Sequence, residues 1–227
     1  NYVRALHSLG FEGEIQCDDA TRTVLSTDNS IYQVYPQVAV FPKNHQDLVR
    51  VTRAAHEHDV NLYPRGGGTG TNAQSLGTGV VVDTSKHMNA ILEINVEQRW
   101  ARVQCGAVKD HLNAEIRQHG LFFAPDLSTS NRATIGGMIN TDASGQGSVA
   151  YGKTRDHVIS LKAVLLTGEE LNTRVISDAE LDALPKNSAE FRIGNALREL
   201  HDSNKEKIEV GFPELNRCLT GYDLKHL

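Results

Sequence analysis

The sequence predicts an α+β fold, in which strands and helices do not alternate as regular βαβ units. Three observations support this. Apolar, β-branched segments at 37–41 and 79–83 are typical of buried strands. Two later pairs of apolar segments are each separated by a turn and predict hairpins. Between the strands, apolar residues recur with the spacing of a helix, which predicts helices that pack on them.

The chain begins with a predicted helix and a polar stretch. Tyr2, Leu6 and Leu9 form one apolar stripe, and Gly10 ends it. Residues 11–30 are polar and rich in turn-forming residues, so we predict no regular element there.

The next elements lead into and out of a glycine-rich loop. The strand at 37–41 ends at Pro42, and Asn44 is suited to cap the helix that follows. A short strand at 61–63 enters the loop. The strand at 79–83 leaves it, and its continuous β-branched run suits burial on both faces.

The second half of the chain mixes strands and helices. The patterns predict a strand pair at 91–105, a helix at 108–120 and a short strand at 121–123. A hairpin at 158–175 and a mainly helical tail from 176 onward follow.

Composition excludes several functional classes. Net charge is −5 with both signs interspersed, so nothing suggests a nucleic-acid partner. No apolar run approaches the roughly 18 residues of a membrane span, and the first residues carry no signal-peptide pattern, so we expect a cytoplasmic protein. Cys17, Cys105 and Cys218 form no CxxC motif; we expect reduced thiols and no metal site.

The segment 63–74 is the centre of the functional prediction. It contains Gly66, Gly67, Gly68 and Gly70 and almost no side chains that could pack. Consecutive glycines leave backbone N–H groups uncovered and permit positive φ, so successive amides can converge on an anion such as a phosphate. The alternative is a flexible connection between two strands.

Two common nucleotide motifs do not fit this loop. Residues 68–73 match G-x-G-x-x-A, but only residues 74–78 separate them from the strand at 79, which leaves no room for the long helix of a Rossmann motif. No Gly-Lys-Ser/Thr follows, which excludes a P-loop. We therefore predict an anion cradle of another kind, to which Thr69 and Thr71 add hydroxyls.

A second glycine-rich region lies at 133–152. Small residues recur where a helix would begin, and they allow a flat ligand to lie close to the backbone. A tightly packed helix contact with a glycine turn would explain the same pattern.

Four blocks in this order and spacing resemble a known family. They are 40–42 with the following helix, 64–74, 125–137 and 151–158. Together they resemble the FAD-binding domain of the FAD-linked oxidases, of the vanillyl-alcohol-oxidase or PCMH type. The resemblance implies a PCMH-type domain over 36–225, made of two α+β subdomains with a boundary near 90. Residues 1–35 would be an N-terminal extension.

The resemblance also implies the cofactor contacts. FAD would be bound by Arg65, Gly66, Gly67, Gly68, Thr69, Gly70, Thr71, Gln74, Pro125, Asp126, Thr129, Thr134, Gly136, Gly137, Asn140, Asp142, Ser144, Gly145, Tyr151, Gly152 and Val158. The loop amides would hold the pyrophosphate, and Gln74 would help close the loop. The later residues would line the flavin, ribityl and adenine parts, with backbone groups of Val158 on the adenine side. Asp142 stands where the family commonly has Asn, which places a charge near the cofactor. The glycine loop contains no His for covalent attachment, so non-covalent FAD is expected.

The opening segment 21–32 is similar to the long bacterial members that resemble D-2-hydroxyglutarate dehydrogenases and fuse a flavin half to an iron–sulfur half. This implies oxidation of a D-2-hydroxy acid, similar to D-2-hydroxyglutarate or D-lactate, by hydride transfer to FAD. The electron acceptor is not implied.

No catalytic residue and no metal ligand is assigned in this chain. Residues 221–224 resemble the approach to a substrate domain, so we expect the substrate and iron–sulfur domains to lie outside this fragment, which alone should be inactive. Two alternatives stay open: a flavin reductase of the UDP-N-acetylenolpyruvoylglucosamine type, and a non-catalytic nucleotide-binding module.

Overall fold

The computed structural model describes residues 1–213, 215 and 224–226. Cys218 and residues 221–223, to which the sequence analysis assigned a reduced thiol and the approach to a further domain, lie outside the described residues. In the described part, helices α1 to α8 span Tyr2–Ser8, Asp19–Leu25, His45–Glu57, Lys109–Arg117, Ile135–Asn140, Ser148–Tyr151, Asp178–Ala183 and Ala189–Gly211. Strands β1 to β8 span Glu14–Gln16, Val38–Phe41, Leu62–Arg65, Val80–Asp83, Ile91–Asn95, Trp100–Val103, Leu161–Val164 and Glu170–Thr173. Two short 3-10 helices span Thr154–His157 and Leu224–His226.

A four-stranded sheet in the order β1-β2-β4-β3 organises the first part of the chain. β2 and β3 both run parallel to β4, whereas β1 pairs antiparallel with β2. Helix α3 connects β2 to β3, and the glycine loop connects the parallel neighbours β3 and β4. Because β2, β3 and β4 are parallel, their carboxyl ends lie at one edge of the sheet, where the glycine loop begins after Arg65.

Both faces of this sheet are covered. Tyr2 and Leu6 of α1 pack with Val51 of α3 on one face, and Leu25 of α2 packs with Val81 on the other. All four residues of β4 are buried, as its continuous β-branched run predicts. Residues before 36 therefore contribute a strand and core side chains to this layer; the predicted division into an extension and two subdomains remains a prediction.

The second core lies later in the chain. The hairpin β5–β6 packs with α4 and α5 around a cluster that includes Leu112, Ile116 and Met138. The hairpin β7–β8 follows, and His45 Nε2 of α3 lies 2.8 Å from Glu170 Oε1 of β8.

The local signals for α3 act as predicted. Asn44 Oδ1 accepts a hydrogen bond of 2.9 Å from Asp47 N, which satisfies one of the amides at the beginning of the helix. The Asp47 carboxylate is fully buried and accepts from Glu12 N and Lys43 N.

Two predictions about secondary structure were wrong. Residues 11–30 contain β1 and α2, because the edge of β2 offers β1 a partner and Asp18 Oδ1 caps α2 by accepting from Thr21 N at 2.9 Å. Residues 121–123 form no strand. Asn113 Oδ1 of α4 accepts a hydrogen bond from Phe123 N at 2.7 Å, and Asn113 Nδ2 donates to Phe123 O at 3.3 Å. The backbone groups that would pair with a neighbouring strand are therefore already bonded to this side chain.

No helix among the described residues combines the length and apolarity that crossing a bilayer requires. Cys17 and Cys105 are free thiols, and burial raises the pKa of Cys105.

A pH-dependent contact fixes β1 to the loop after β4. Glu14 Oε2 lies 2.6 Å from Lys86 Nζ and its Oε1 lies 2.7 Å from His87 Nε2. Hydrogen bonds from Lys86 and His87 lower the pKa of Glu14 from 4.5 to about 2. Because the folded pKa is below the unfolded one, this contribution to stability is present above pH 4.5 and is lost as pH falls through about 2.

We therefore expect Glu14→Gln to lower the free energy of unfolding at pH 7, with a difference from wild type that shrinks between pH 4.5 and 2. Urea unfolding at several pH values measures this. A difference that does not change with pH over that window would contradict the assignment.

Candidate functional site

The glycine loop leaves the carboxyl end of β3 with its amides unpaired. Among the described residues, no hydrogen bond joins the N–H groups of residues 66–71 to a protein acceptor. Native proteins pair most of their backbone donors, so six consecutive unpaired amides indicate a place for an anion or for solvent. Gly68 adopts φ +61°, which a side chain would disfavour.

The exit of the loop is fixed by its own residues. Gln74 Oε1 accepts from Asn72 N at 3.0 Å, and Leu76 N donates to Ala73 O at 3.1 Å. Gln74 thus closes the loop, the role that the family resemblance implied for it.

The glycine loop packs directly on the second glycine-rich region. A Cβ at Gly66 would collide with Thr134 Oγ1, and a Cβ at Gly67 would collide with Arg132 O. Gly66 and Gly67 are therefore required for close approach as well as for uncovered amides. The structure brings together two segments that lie about 65 residues apart in the chain.

Thr134 also begins helix α5. Its Oγ1 accepts from Gly137 N at 3.3 Å, and Gly136 N donates to Cys105 O at 2.8 Å. A Cβ at Gly136 would lie 2.7 Å from Cys105 Cβ, so only glycine allows this contact. Asn140 Nδ2 donates to Gly136 O at 2.9 Å and lies at the surface with Gly137.

The negative charge of Asp142 is paired with a buried lysine of the same chain. Asp142 Oδ2 lies 2.8 Å from Lys153 Nζ, whose side chain is only 4% exposed, and Asp142 Oδ1 accepts from Arg155 N at 3.1 Å. Thr154 adds two bonds to Ala143 O. These contacts tie residues 142–143 to residues 153–155 and assign Asp142 a positioning role, a reading that its sequence position alone left open.

Ser144, which is next to Gly145 in the second glycine-rich region, carries an unsatisfied polar atom. Ser144 Oγ is buried and has no hydrogen-bond partner among the described residues. A Cβ at Gly145 would collide with Asp126 O, so these two predicted residues are also in contact, beside the buried Pro125. Thr129 contributes its carbonyl to a turn, accepting from Arg132 N at 2.8 Å.

The last predicted residues lie in a separate group of contacts. The Tyr151 ring packs edge-on against Phe122 with 5.5 Å between centroids, Gly152 has φ +80°, and Val158 N donates to Arg155 O at 3.1 Å. The described bonds of these residues stay within 122–158 and do not reach the glycine loop. The Val158 amide, which the family resemblance directed at the adenine, is therefore already used.

Arg65 is directed towards the N-terminal part of the chain. Its Nη2 donates to Thr27 O at 2.8 Å and its Nη1 to Leu25 O at 3.4 Å. Burial lowers the pKa of Arg65, and the charges of Asp83 and Asp28 oppose that shift. Its side chain therefore ties the loop entry to residues 25–27.

An open, polar cleft of about 220 Å³ adjoins the loop, lined by Val24, Thr27, Asp28, Asn29, Arg65, Gly67, Gly68, Thr69 and Arg132. Sequence reasoning missed Arg132 and Lys153. Arg132 is exposed and is a cationic residue that lines the cleft together with Gly67 and Gly68. The sequence signal for Arg132 was its position two residues before Thr134, next to a glycine-rich region. No local pattern predicts that Lys153 pairs with Asp142.

Comparison with known proteins decides the family. A family described as "FAD binding domain" matches residues 36–174, more than half of the chain. The chain belongs to this family of FAD-binding domains.

The FAD-binding domain is similar to parts of longer curated proteins. It is 60% identical over 232 residues to a D-2-hydroxyglutarate dehydrogenase of Pseudomonas putida, covering 100% of this chain and 23% of that protein. It is 38% identical over 157 residues to glycolate oxidase subunit GlcD of Bacillus subtilis, covering 68% of this chain and 33% of that protein. The chain thus spans less than a quarter of the length of the first of these relatives.

A solved structure confirms the fold. An alkyldihydroxyacetonephosphate synthase superposes with a TM-score of 0.70 at 23% sequence identity, over 81% of this chain and 37% of that one. The predicted α+β, PCMH-type fold and the predicted cofactor class, FAD, are confirmed.

The residues of the FAD-binding domain fit the cofactor on three observations. Within the part of the chain that the structure describes, amides 66–71 have no protein acceptor and the buried Ser144 Oγ has no partner. Gly66 and Gly67 allow the loop to lie against Thr134 and Arg132. A diphosphate suits the amides, and a flat ring system suits a wall of small residues.

Proposed function

We propose that this chain is the FAD-binding part of a dehydrogenase that oxidises a D-2-hydroxy acid, with D-2-hydroxyglutarate as the first candidate substrate. The observation that carries the proposal is the run of unpaired amides at 66–71, held against Thr134. The similarity to proteins named D-2-hydroxyglutarate dehydrogenase over the whole chain supports the substrate class.

In this proposal the chain binds and orients, and its side chains do no bond-making chemistry. The amides of the glycine loop bind the FAD pyrophosphate, and Arg132 adds positive charge beside them. Thr134, Gly136 and Ser144 belong to the wall along the rest of the cofactor. Bound FAD supplies the redox chemistry by accepting hydride from the α-carbon of the substrate.

The groups that recognise the substrate belong to other parts of the protein in this proposal. A hydroxy acid needs cations for its carboxylate and a base for its hydroxyl. The sequence offers no convergent Arg/His set for this purpose around the predicted cofactor residues. The iron–sulfur part and the cytoplasmic location remain predictions.

Assay of the full-length protein tests the proposal. We expect it to purify with FAD and to reduce an artificial electron acceptor faster with D-2-hydroxyglutarate than with D-lactate or glycolate. Turnover of D-lactate or glycolate alone would change the substrate but keep the reaction class. Absence of flavin, or binding of FAD with no oxidation of any of the three acids, would favour the reductase or the non-catalytic module.

FAD is expected to leave the protein on denaturation, because residues 66–70 contain no His for covalent attachment. Acid precipitation followed by absorbance of the supernatant at flavin wavelengths measures this. Yellow colour retained by the precipitated chain would contradict it.

A further inference from the structure

The N-terminal strap, residues 25–29, lies across the glycine loop and holds it at three points. At the entry, Arg65 Nη2 donates to Thr27 O at 2.8 Å. In the middle, Asn29 N donates to Gly68 O at 3.0 Å. At the exit, Ser75 Oγ donates to Asp28 Oδ2 at 3.1 Å.

The strap is itself firmly anchored. Leu25 and Ser26 are buried, and Val34 N donates to Ser26 O at 2.8 Å. Asp28 Oδ1 accepts from Ser30 N at 2.8 Å, which fixes its carboxyl group with the other oxygen towards Ser75. The strap therefore presents a rigid edge to the loop.

The loop has few means to hold its own shape. Its glycines give it a large conformational entropy when free, and its amides at 66–71 make no hydrogen bonds to any described residue of the protein. Contact with Arg132 and Thr134 restrains one side of the loop, at Gly66 and Gly67. The strap restrains Arg65, Gly68 and Ser75, which lie before, within and after the amide run.

We propose that the strap pre-organises the glycine loop for the diphosphate, and that Asp28 is a positioning residue for cofactor binding; this rests on the proposed function. The family match begins at residue 36, so the strap lies outside the part that defines the family. Asp28 acts through its hydrogen bond from Ser75 and through its charge near Arg65. Because the loop is already ordered before FAD binds, binding loses less conformational entropy and the affinity is higher.

Two variants test this in the full-length protein after removal of flavin. Asp28→Ala removes the acceptor from the strap, and Ser75→Ala removes the donor from the loop side without changing charge. We expect each to weaken binding of FAD by about tenfold, the size of a lost hydrogen bond to a charged group. ADP, which carries the diphosphate without the flavin, should lose affinity by a similar factor.

Hydrogen exchange gives a readout that general destabilisation does not move. In the flavin-free variants, the amide of Asn29, which donates to Gly68 O, should exchange faster, while those of β4 keep their wild-type rates. Glu14→Gln is the matched control: it weakens another contact of the N-terminal region, the one with Lys86 and His87, and should leave FAD affinity unchanged.

The outcomes separate the two proposals. If wild type binds no FAD, the proposed function fails. If wild type binds FAD and both variants bind it equally well, the strap has no positioning role. If Glu14→Gln weakens FAD binding as much as Asp28→Ala, the effect is general destabilisation and the inference is overturned.

Discussion

Replacing Gly67 with alanine is expected to lower FAD affinity by about 100-fold, which corresponds to about 2.7 kcal/mol and lies within the usual cost of overpacking a close contact. The new Cβ would collide with Arg132 O and lie 2.9 Å from its carbonyl carbon. Backbone atoms cannot rotate away as a flexible side chain can, so the loop must move off the second glycine-rich region. Titration of the flavin-free protein with FAD measures the effect.

Gly211→Ala provides the control for this experiment. A Cβ there would meet no atom within 4 Å, and Gly211 is the last residue of α8, where alanine is well tolerated. We expect wild-type FAD affinity from this variant. Equal affinity for Gly67→Ala and wild type would show that the loop is not the diphosphate site.

Replacing Asp142 with asparagine is expected to lower the free energy of unfolding by about 3 kcal/mol, because it leaves a buried ammonium without its counter-charge. The Lys153 side chain is 4% exposed and lies 2.8 Å from Asp142 Oδ2. Asparagine keeps an oxygen for Arg155 N and tolerates the positive φ of 43° at this position, so the change isolates the charge. Denaturant unfolding of this chain measures the loss.

The double variant Asp142→Asn with Lys153→Met should recover most of that loss, since removing both members of a buried pair is often nearly neutral. Glu93→Gln is the surface control: Glu93 and Arg102 are 49% and 67% exposed, and exposed pairs contribute about 0–1 kcal/mol. Additive losses in the double variant would show that the pair is not coupled.

Much of the fold followed from short-range patterns. The buried strand at Val80–Asp83, the cap at Asn44 and both hairpins appear close to where the sequence predicted them. The errors share one cause. Glu14–Gln16 became a strand because β2 has a free edge, and residues 121–123 did not because Asn113 takes the backbone of Phe123. Neither partner is visible in a local window.

The candidate site shows the same division. Gln74 closes the loop as the resemblance implied, but Arg65 directs its side chain to Thr27, which lies 38 residues earlier in the chain. The sequence places a charge at Asp142, and only the structure shows that Lys153 lies 2.8 Å from it.

The sequence by itself determined the two glycine-rich segments, their order and the absence of a Rossmann helix between Ala73 and Gly79, because a missing side chain is a local property. Only the tertiary structure decided that Gly66 meets Thr134 and that residues 25–29 hold the loop. Those contacts join residues tens of positions apart, and the packing of the sheet and its helices, not any local preference, brings them together.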